Sequence, residues 1–377
     1  MKNHRAHRQL ALAATLAALW AGAASAADVT LYGQVDATLA SRQLSGGIRT
    51  TGVNDGGMST SHFGFRGSED LGDGLKANFD LSGFFTVDTG VTGRFAGSPD
   101  GLLSRRATVG LSGGFGQLDV GRIGTPYFFS MILFNPFIDS AVYSPVFLHT
   151  YTGGQFPMSA TPMNGPDSGA SNVVQYTTPT YRGVNAKLMY APGEVAGAAG
   201  KRRVSGNVNY YAGPLALTFA FERDTTALGT LATLPNPETS QRAYLGGATY
   251  DLGAVKLYGQ LQRITQVFNA AGTDRKYTIS QVGAAIPAGA GKFLLSWARS
   301  SIDLPAAGVS PYTVVPGFPA LPAGVATSGV DPRRNTVTVG YDHNLSKRTD
   351  LYALLMRDAY TGLATGRSVA LGIRHRY

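Results

Sequence analysis

The stretch Leu75-Lys76-Ala77-Asn78-Phe79-Asp80-Leu81-Ser82-Gly83-Phe84-Phe85 decides the fold. Leu75, Ala77, Phe79, Leu81 and Phe85 fall on one face of an extended chain, and Lys76, Asn78, Asp80 and Ser82 on the other. A period of two is the signature of a β-strand with chemically different sides. The same alternation sets Val29, Leu31, Val35 and Leu39 against Thr30, Gln34, Asp36 and Thr38, and Leu215, Leu217, Phe219 and Phe221 against Thr218 and Glu222. Composition agrees. The 377 residues include 49 Gly, 19 Pro, 18 Tyr and 18 Phe with 15% charged residues, which argues against a helix bundle and against a disordered chain.

Residues 1–26 read as a cleavable signal peptide: Lys2, Arg5 and Arg8 are followed by the apolar run Leu10–Gly22 and by Ala24-Ser25-Ala26, a small-x-small cleavage pattern. The run is too short, and too soon followed by polar alternation at Asp28, to span a bilayer as a helix. Its removal takes the formal charge from +9 to +6, because residues 1–26 hold three basic residues and no acidic one. The zero cysteine count excludes disulfides, thiolate metal sites and cysteine nucleophiles.

Alternation alone fits a soluble sandwich as well as a membrane barrel, and connection lengths separate the two. Short links, such as Glu69–Gly74, Ala212–Pro214 and Leu345–Thr349, alternate with long ones at residues 41–59, 88–103, 124–170, 192–202, 224–240, 266–274, 301–333 and 360–366. Seven short and eight long links imply sixteen strands with both termini on the short-turn side. That is the plan of an all-β transmembrane antiparallel barrel, in which closure pairs every backbone amide inside lipid. Parity shifts in the strands at 274–286 and 349–359. The mature chain, 27–377, reads as one barrel domain. Its last strand alternates Val369, Leu371, Ile373, His375 and Tyr377 with small or basic residues and ends on an aromatic ring. Tyr32, Tyr176, Tyr190, Tyr210, Tyr250, Tyr341 and Tyr377 fall near strand ends, as interfacial girdles require.

The segments VTLYGQVDA (29–37), SHFGFRGSEDLGDGLKANFDL (61–81), RRATVGLSGGFGQLDVGR (105–122), LSKRTDLYA (345–353) and GIRHRY (372–377) together resemble the Gram-negative trimeric general-diffusion porins of the β-proteobacterial branch. Three positions depart from the family pattern. Tyr377 stands for Phe, Gln175 for a frequent Arg, and Asn135-Pro136-Phe137 for a frequent Asp-Pro-Phe. The resemblance implies an outer-membrane location, a homotrimer, contact with outer-membrane lipid and lipopolysaccharide, and insertion by the assembly machinery through the C-terminal strand. It also implies that the loop Gly124–Ala170 folds inward to narrow the lumen. Asp139 and Asp167 give that loop a net charge of −2, and Asp139 is the candidate to line the pore. The alternative for Asp139 is a solvated loop charge.

Arg66 and Arg106 lie on the polar parity of their strands, and Arg42 and Lys76 on that of strands one and three. Arg122 breaks parity with Leu118 and Val120 but closes the family motif, and Arg105 falls on the lipid parity and is left out. The expected constriction is thus Arg42, Arg66, Lys76, Arg106, Arg122 and Asp139, with a weak anion preference. The competing reading of the arginines is rim contact with lipid phosphates or neighbouring subunits.

No catalytic residue, cofactor or metal site is expected. After the leader, His62, His149, His343 and His375 show no metal-ligand spacing, and neither Gly200-Lys201 nor Gly291-Lys292 opens as a phosphate loop. An outer-membrane barrel enzyme would need a nucleophile–base constellation that these residues do not outline. A substrate-specific channel would show aromatic tracks or charge ladders inside the pore, whereas inward residues are mostly small and neutral. A soluble exported β-binding protein would bury one strand face in a common core. Nucleic acid is not an expected partner.

Overall fold

A computed structural model describes residues 28–94, 100–151, 168–193, 202–225, 238–269, 271–272, 274–303 and 333–377. The proposed signal peptide, Asp167 and the Gly200-Lys201 pair lie outside them.

The chain forms β1 (Asp28–Arg42), β2 (Thr50–Asp55), β3 (His62–Gly72), β4 (Leu75–Phe84), β5 (Arg106–Gly113) and β6 (Gly116–Gly124). Two helices follow, α1 (Pro126–Leu133) and α2 (Pro145–Tyr151). Then come β7 (Gly169–Thr177), β8 (Val184–Ala191), β9 (Arg202–Ala212), β10 (Leu215–Thr225), β11 (Glu238–Asp251) and β12 (Lys256–Phe268). β13 (Arg275–Ala288), β14 (Gly291–Asp303), β15 (Arg333–Asn344), β16 (Thr349–Tyr360) and β17 (Gly366–Arg376) complete the order. From β3 onward each strand pairs antiparallel with the next, and β17 returns to β1 with Gln34 opposite Arg376 and Ser41 opposite Val369.

The seventeen strand segments make sixteen staves. The lower part of β1, Asp28–Gln34, pairs with β3, and its upper part, Ala37–Arg42, with β2. β2 and β3 are therefore one wall position interrupted at residues 56–61. This corrects the expected loop at 41–59, which contains β2. The interruption has a visible cause: the buried Asp36 carboxylate accepts hydrogen bonds from the amides of Gly57, Met58 and Ser59 at 3.2, 3.0 and 2.8 Å, which draws the chain inward. Residue 57 must be glycine, because a Cβ there would come within 2.2 Å of Thr38 Oγ1 and Tyr352 Oη.

Burial is inverted relative to a soluble protein. Leu31, Val109, Leu261 and Leu371 are 55, 62, 58 and 59% exposed, while Asp36, Ser205, Gln262 and Thr336 are fully buried. Strand faces that turn apolar groups out and polar groups in require a hydrocarbon surround. Tyr176, Tyr190, Tyr210, Tyr250 and Tyr377 are exposed on the outside, as girdle residues are, and Tyr341 lies part-buried against Phe293. Tyr32 is the exception, since it shares the inward parity of Gln34 and Asp36.

The long loop after β6 enters the lumen. Thr125 caps α1, its hydroxyl accepting from the Phe128 amide at 3.1 Å, and Pro126 occupies the first turn, where its missing N–H costs nothing. α1 and α2 dock on an apolar patch of the inner wall: Tyr127, Met131, Ile132, Val146 and Tyr151 pack with Ala220, Leu245, Ile264, Ile279 and Ile302. The inner wall is thus less uniformly small and neutral than the sequence reading has it. Each such side chain contributes about 1.5–3 kcal/mol by leaving water. Polar contacts fix the placement: Tyr127 Oη and Thr150 Oγ1 both donate to Gln262 Oε1, at 2.8 and 3.0 Å, and His149 Nε2 meets Thr336 Oγ1 at 2.8 Å.

Candidate pore constriction

Where the inward loop faces the first staves, the wall and loop enclose a recess of about 300 Å³. Arg66 from β3, Arg105 and Arg106 at the start of β5, and Arg122 from β6 line it together with Arg94, Tyr32 and Asp80. Asp139 and the rings of Phe128, Phe129 and Phe147 close it from the loop side. Arg66, Asp80 and Arg106 also line a second recess of about 340 Å³, which extends to Asp28, Gln117 and Asp119.

Register explains the convergence. Arg66 lies opposite Thr30 on one side and Asp80 on the other, so the inward positions of β1, β3 and β4 share one level. Tyr32 donates to Asp80 Oδ1 at 2.5 Å, and the Arg66 guanidinium stands 5.1 Å from the centre of the Tyr32 ring. Arg106 is 3.6 Å from Asp80 Oδ2 and 3.5 Å from Asp119 Oδ2, and its Nε donates to Thr108 Oγ1 at 3.1 Å. These ion-pair distances are longer than a direct charge-assisted hydrogen bond, which leaves the guanidinium facing the lumen.

Arg122 reaches the recess through a bulge between Gly121 and Ile123, which breaks the strict alternation of β6. Gly121 holds that bulge at φ +132°, where a Cβ would sit 2.1 Å from the Ala107 carbonyl oxygen. Arg122 Nη1 donates to Ser171 Oγ at 2.9 Å. Arg94 is held by Asp100, at 2.8 Å from Nε and 2.7 Å from Nη2, so its charge is matched locally.

Arg105 corrects the sequence reading. It precedes the first paired residue of β5, so strand parity does not govern it, and its Nη1 donates inward to Ser82 Oγ at 3.3 Å and to Tyr32 Oη at 3.5 Å. Lys76 is not brought to this cluster: it is exposed beside the β3–β4 turn, paired in register with Asp70. Arg42 faces inward at the other end of β1, among Tyr143, Arg334 and Asp358. The six expected residues therefore divide into Arg66, Arg106, Arg122 and Asp139 at the recess and Arg42 and Lys76 elsewhere.

Asp139 accepts from Ser59 Oγ at 3.0 Å. Burial pushes its carboxyl above the usual range, against the lowering pull of that hydrogen bond and of Arg374 and Arg105. Among residues 124–151 it is the one Asp or Glu, so this described part of the loop presents a single acid rather than an acidic wall. Asn135 does not face the channel. Its amide donates to the carbonyls of Met131, Ile132 and Ile138 at 3.2, 3.1 and 3.0 Å, and its Oδ1 accepts from the Phe137 amide at 2.9 Å and from Ser144 Oγ at 3.1 Å. Gln175 is buried opposite Asp119 and Met189. A closed barrel whose lumen is partly filled by a loop, with a cation-rich recess between loop and wall, has the form of a channel for small polar solutes and the charge to act on ions.

The comparisons agree with this geometry. Residues 11–363 match the family model described as Gram-negative porin. The chain is 32% identical to outer membrane porin protein 32 of Delftia acidovorans over 98% of this chain and 99% of that one. It is 29% identical to an outer membrane porin protein of Bordetella pertussis over 97% and 99%. Among solved structures, an anion-selective porin from Comamonas acidovorans aligns with a TM-score of 0.73 and 29% identity, covering 93% of this chain and all of that one. OmpT of Vibrio cholerae, at 14% identity over 94% and 99% with a TM-score of 0.64, shares the fold. With a family model spanning most of its length and a full-length relative above 30% identity, the chain belongs to the Gram-negative porins and is an outer-membrane channel.

Proposed function

We propose that the protein is a general-diffusion pore for small hydrophilic solutes with a modest preference for anions, set at the recess between the first staves and the inward loop. One observation carries this reading: Arg66, Arg94, Arg105, Arg106 and Arg122 line one recess in which Asp80 and Asp139 are the lining acids, with Asp119 a further 3.5 Å neighbour of Arg106. Low-dielectric walls and few counter-charges strengthen each Coulomb interaction there. The likeness to an anion-selective porin supports the same sign. On this reading residues 1–26 are cleaved on export, residues 27–377 form the barrel, the protein trimerises in contact with lipid and lipopolysaccharide, and the last strand engages the assembly machinery. Single-channel recording of the native trimer in a planar bilayer tests it. Open steps whose conductance grows with salt, with a zero-current potential of anionic sign in a salt gradient, are expected. Saturating conductance for one sugar or one acid would instead mark a substrate-specific channel.

A further inference from the structure

The recess at the constriction has two chemically opposed walls, guanidiniums on the barrel side and phenylalanine rings on the loop side. The rings are Phe128 and Phe129 of α1 and Phe147 of α2. Tyr127, Met131 and Tyr151, which dock the same helices on the barrel, are fully buried, whereas the three phenylalanines are only half-buried. They pack on that core with one side and line the recess with the other. Apolar rings at the surface of an aqueous channel forgo part of the gain that burial brings, and a ligand that covers them recovers it.

The rings are held in place. Phe128 lies 5.6 Å from Tyr151 and 6.1 Å from Phe147, centre to centre, at interplanar angles of 87° and 88°, and 5.6 Å from Phe129 at 61°. Edge-to-face contact is a preferred aromatic geometry, and a further ring laid on such a cluster gains by the same electrostatics. Lys187 backs Phe129, its Nζ 5.6 Å from the ring centre. The helices that carry the rings are themselves tied down, α1 by its Thr125 cap and α2 by the bonds of His149 and Thr150 to the wall.

Across the recess, Tyr32 gathers two cations. The Arg66 guanidinium stands 5.1 Å from its ring centre, and its hydroxyl accepts from Arg105 Nη1 at 3.5 Å. Arg105 also donates to the Ser82 hydroxyl, a neutral partner, whereas Arg94 is committed to the Asp100 carboxylate at 2.7 Å. Guanidiniums present planar forks of donors that match a carboxylate. A ligand that satisfies both walls therefore joins a flat apolar ring to a carboxylate. A recess of about 300 Å³ is at the small end for small-molecule sites, which suits one ring. We propose that this recess is a subsite for single-ring aromatic carboxylates, with the carboxylate on Arg66 and Arg105 and the ring against Phe128, Phe129 and Phe147. The inference names the anions that the pore favours and rests on the anion preference proposed above. Toward the short turns, Arg66 and Arg106 share the second recess with Asp28, Asp80 and Asp119, whose charges oppose an anion and weaken its hold as it moves on. Such a subsite biases a general pore without making it specific.

The test is block of the single-channel chloride current of the full-length mature protein in a planar bilayer at fixed salt. Benzoate, cyclohexanecarboxylate, acetate and benzamide are the probes, which separate the contributions of ring, apolar bulk and charge. Half-block by benzoate is expected at a concentration about three- to tenfold lower than by cyclohexanecarboxylate, the margin that an aromatic contact adds to burial, with acetate and benzamide weaker still. Phe128→Leu/Phe147→Leu keeps the apolar bulk and should bring benzoate to the level of cyclohexanecarboxylate. Arg66→Gln/Arg105→Gln should bring it to the level of benzamide. Heat-modifiable migration verifies that the variants are folded, and the ligand series on the parent decides the question even where one is not. Equal block of the parent by benzoate and cyclohexanecarboxylate, or by benzoate and benzamide, would overturn the proposal, as would a ring preference that survives in the folded phenylalanine variant. Chloride preference in a salt gradient without any preference for benzoate would overturn the subsite and leave the anion reading of the pore standing. Cation preference would overturn both.

Discussion

Arg203 joins the barrel wall to the far end of the inward loop: its Nε and Nη2 donate to the Asp224 carboxylate, the latter at 2.6 Å, while Nη1 donates to the Gly169 carbonyl oxygen at 2.7 Å. The near end of the loop is fixed on the same two strands, where the Tyr127 amide donates to Ser205 Oγ at 3.2 Å. Removing one member of a buried pair leaves the other charge unmatched, at a cost of about 3–5 kcal/mol. Arg203→Met should therefore lower the temperature of heat modification and add flicker to the open current, as the loop loses its anchor. A quiet current at unchanged stability would show that Arg203 does not hold the loop.

Asn135 supports the loop apex from within. A carboxylate at this position could accept from the Phe137 amide and Ser144 but could not donate to the three carbonyls that the amide serves. Asn135→Asp is expected to cost about 1–3 kcal/mol for the buried groups left unsatisfied. Thermal melting in detergent measures it, and a variant as stable as the parent would contradict the assignment.

Deleting residues 136–158, the central half of the inward loop, should raise single-channel conductance while membrane insertion survives. The wall satisfies its own backbone hydrogen bonds without the loop, although the Leu245, Ile264 and Ile279 patch becomes wet. Unchanged conductance in a folded deletion would place the loop outside the conducting path.

Asp139 gives the selectivity a pH dependence of definite sign. Burial raises its pKa, so as pH falls it becomes neutral before an ordinary carboxylate does. Loss of that negative charge leaves Arg105 and Arg374 less opposed, so anion preference should increase on mild acidification. Asp139→Asn should fix the pore in the more anion-preferring state and flatten the response over the same range. A parent whose reversal potential moves toward cations on acidification would refute it.

Much of this was legible in the sequence. The alternation at Leu75–Phe85 and the sequence of short and long links gave the staves, including the one ending at Tyr360, because a strand with lipid on one face and water on the other must alternate. What escaped depended on where pairing begins. Extending the parity of β5 back by one residue turns Arg105 toward lipid, and nearness to a strand end makes Tyr32 a girdle ring, although its parity with Gln34 and Asp36 points inward. β2 has no local signal that sets it apart from the loop, because the break between it and β3 comes from the Asp36 carboxylate drawing residues 57–59 aside, a contact between elements rather than a local pattern. The Arg203–Asp224 pair could have been found, since the tight turn at Ala212–Leu215 fixes the hairpin register that sets the two residues opposite. Thr125-Pro126 likewise is a helix start written in the sequence.

The central claim, that guanidiniums at one recess set the ion preference, is tested most directly by the zero-current potential across a planar bilayer holding the parent or the Arg66→Gln/Arg105→Gln/Arg106→Gln variant in a potassium chloride gradient. The variant should move toward cation preference, and the difference from the parent should shrink as salt approaches about 1 M, where screening acts within about 3 Å. Arg333→Gln, at the exposed start of β15, should leave the potential where the parent has it. A triple variant with the parent's potential, or an equal shift from Arg333→Gln, would contradict the claim.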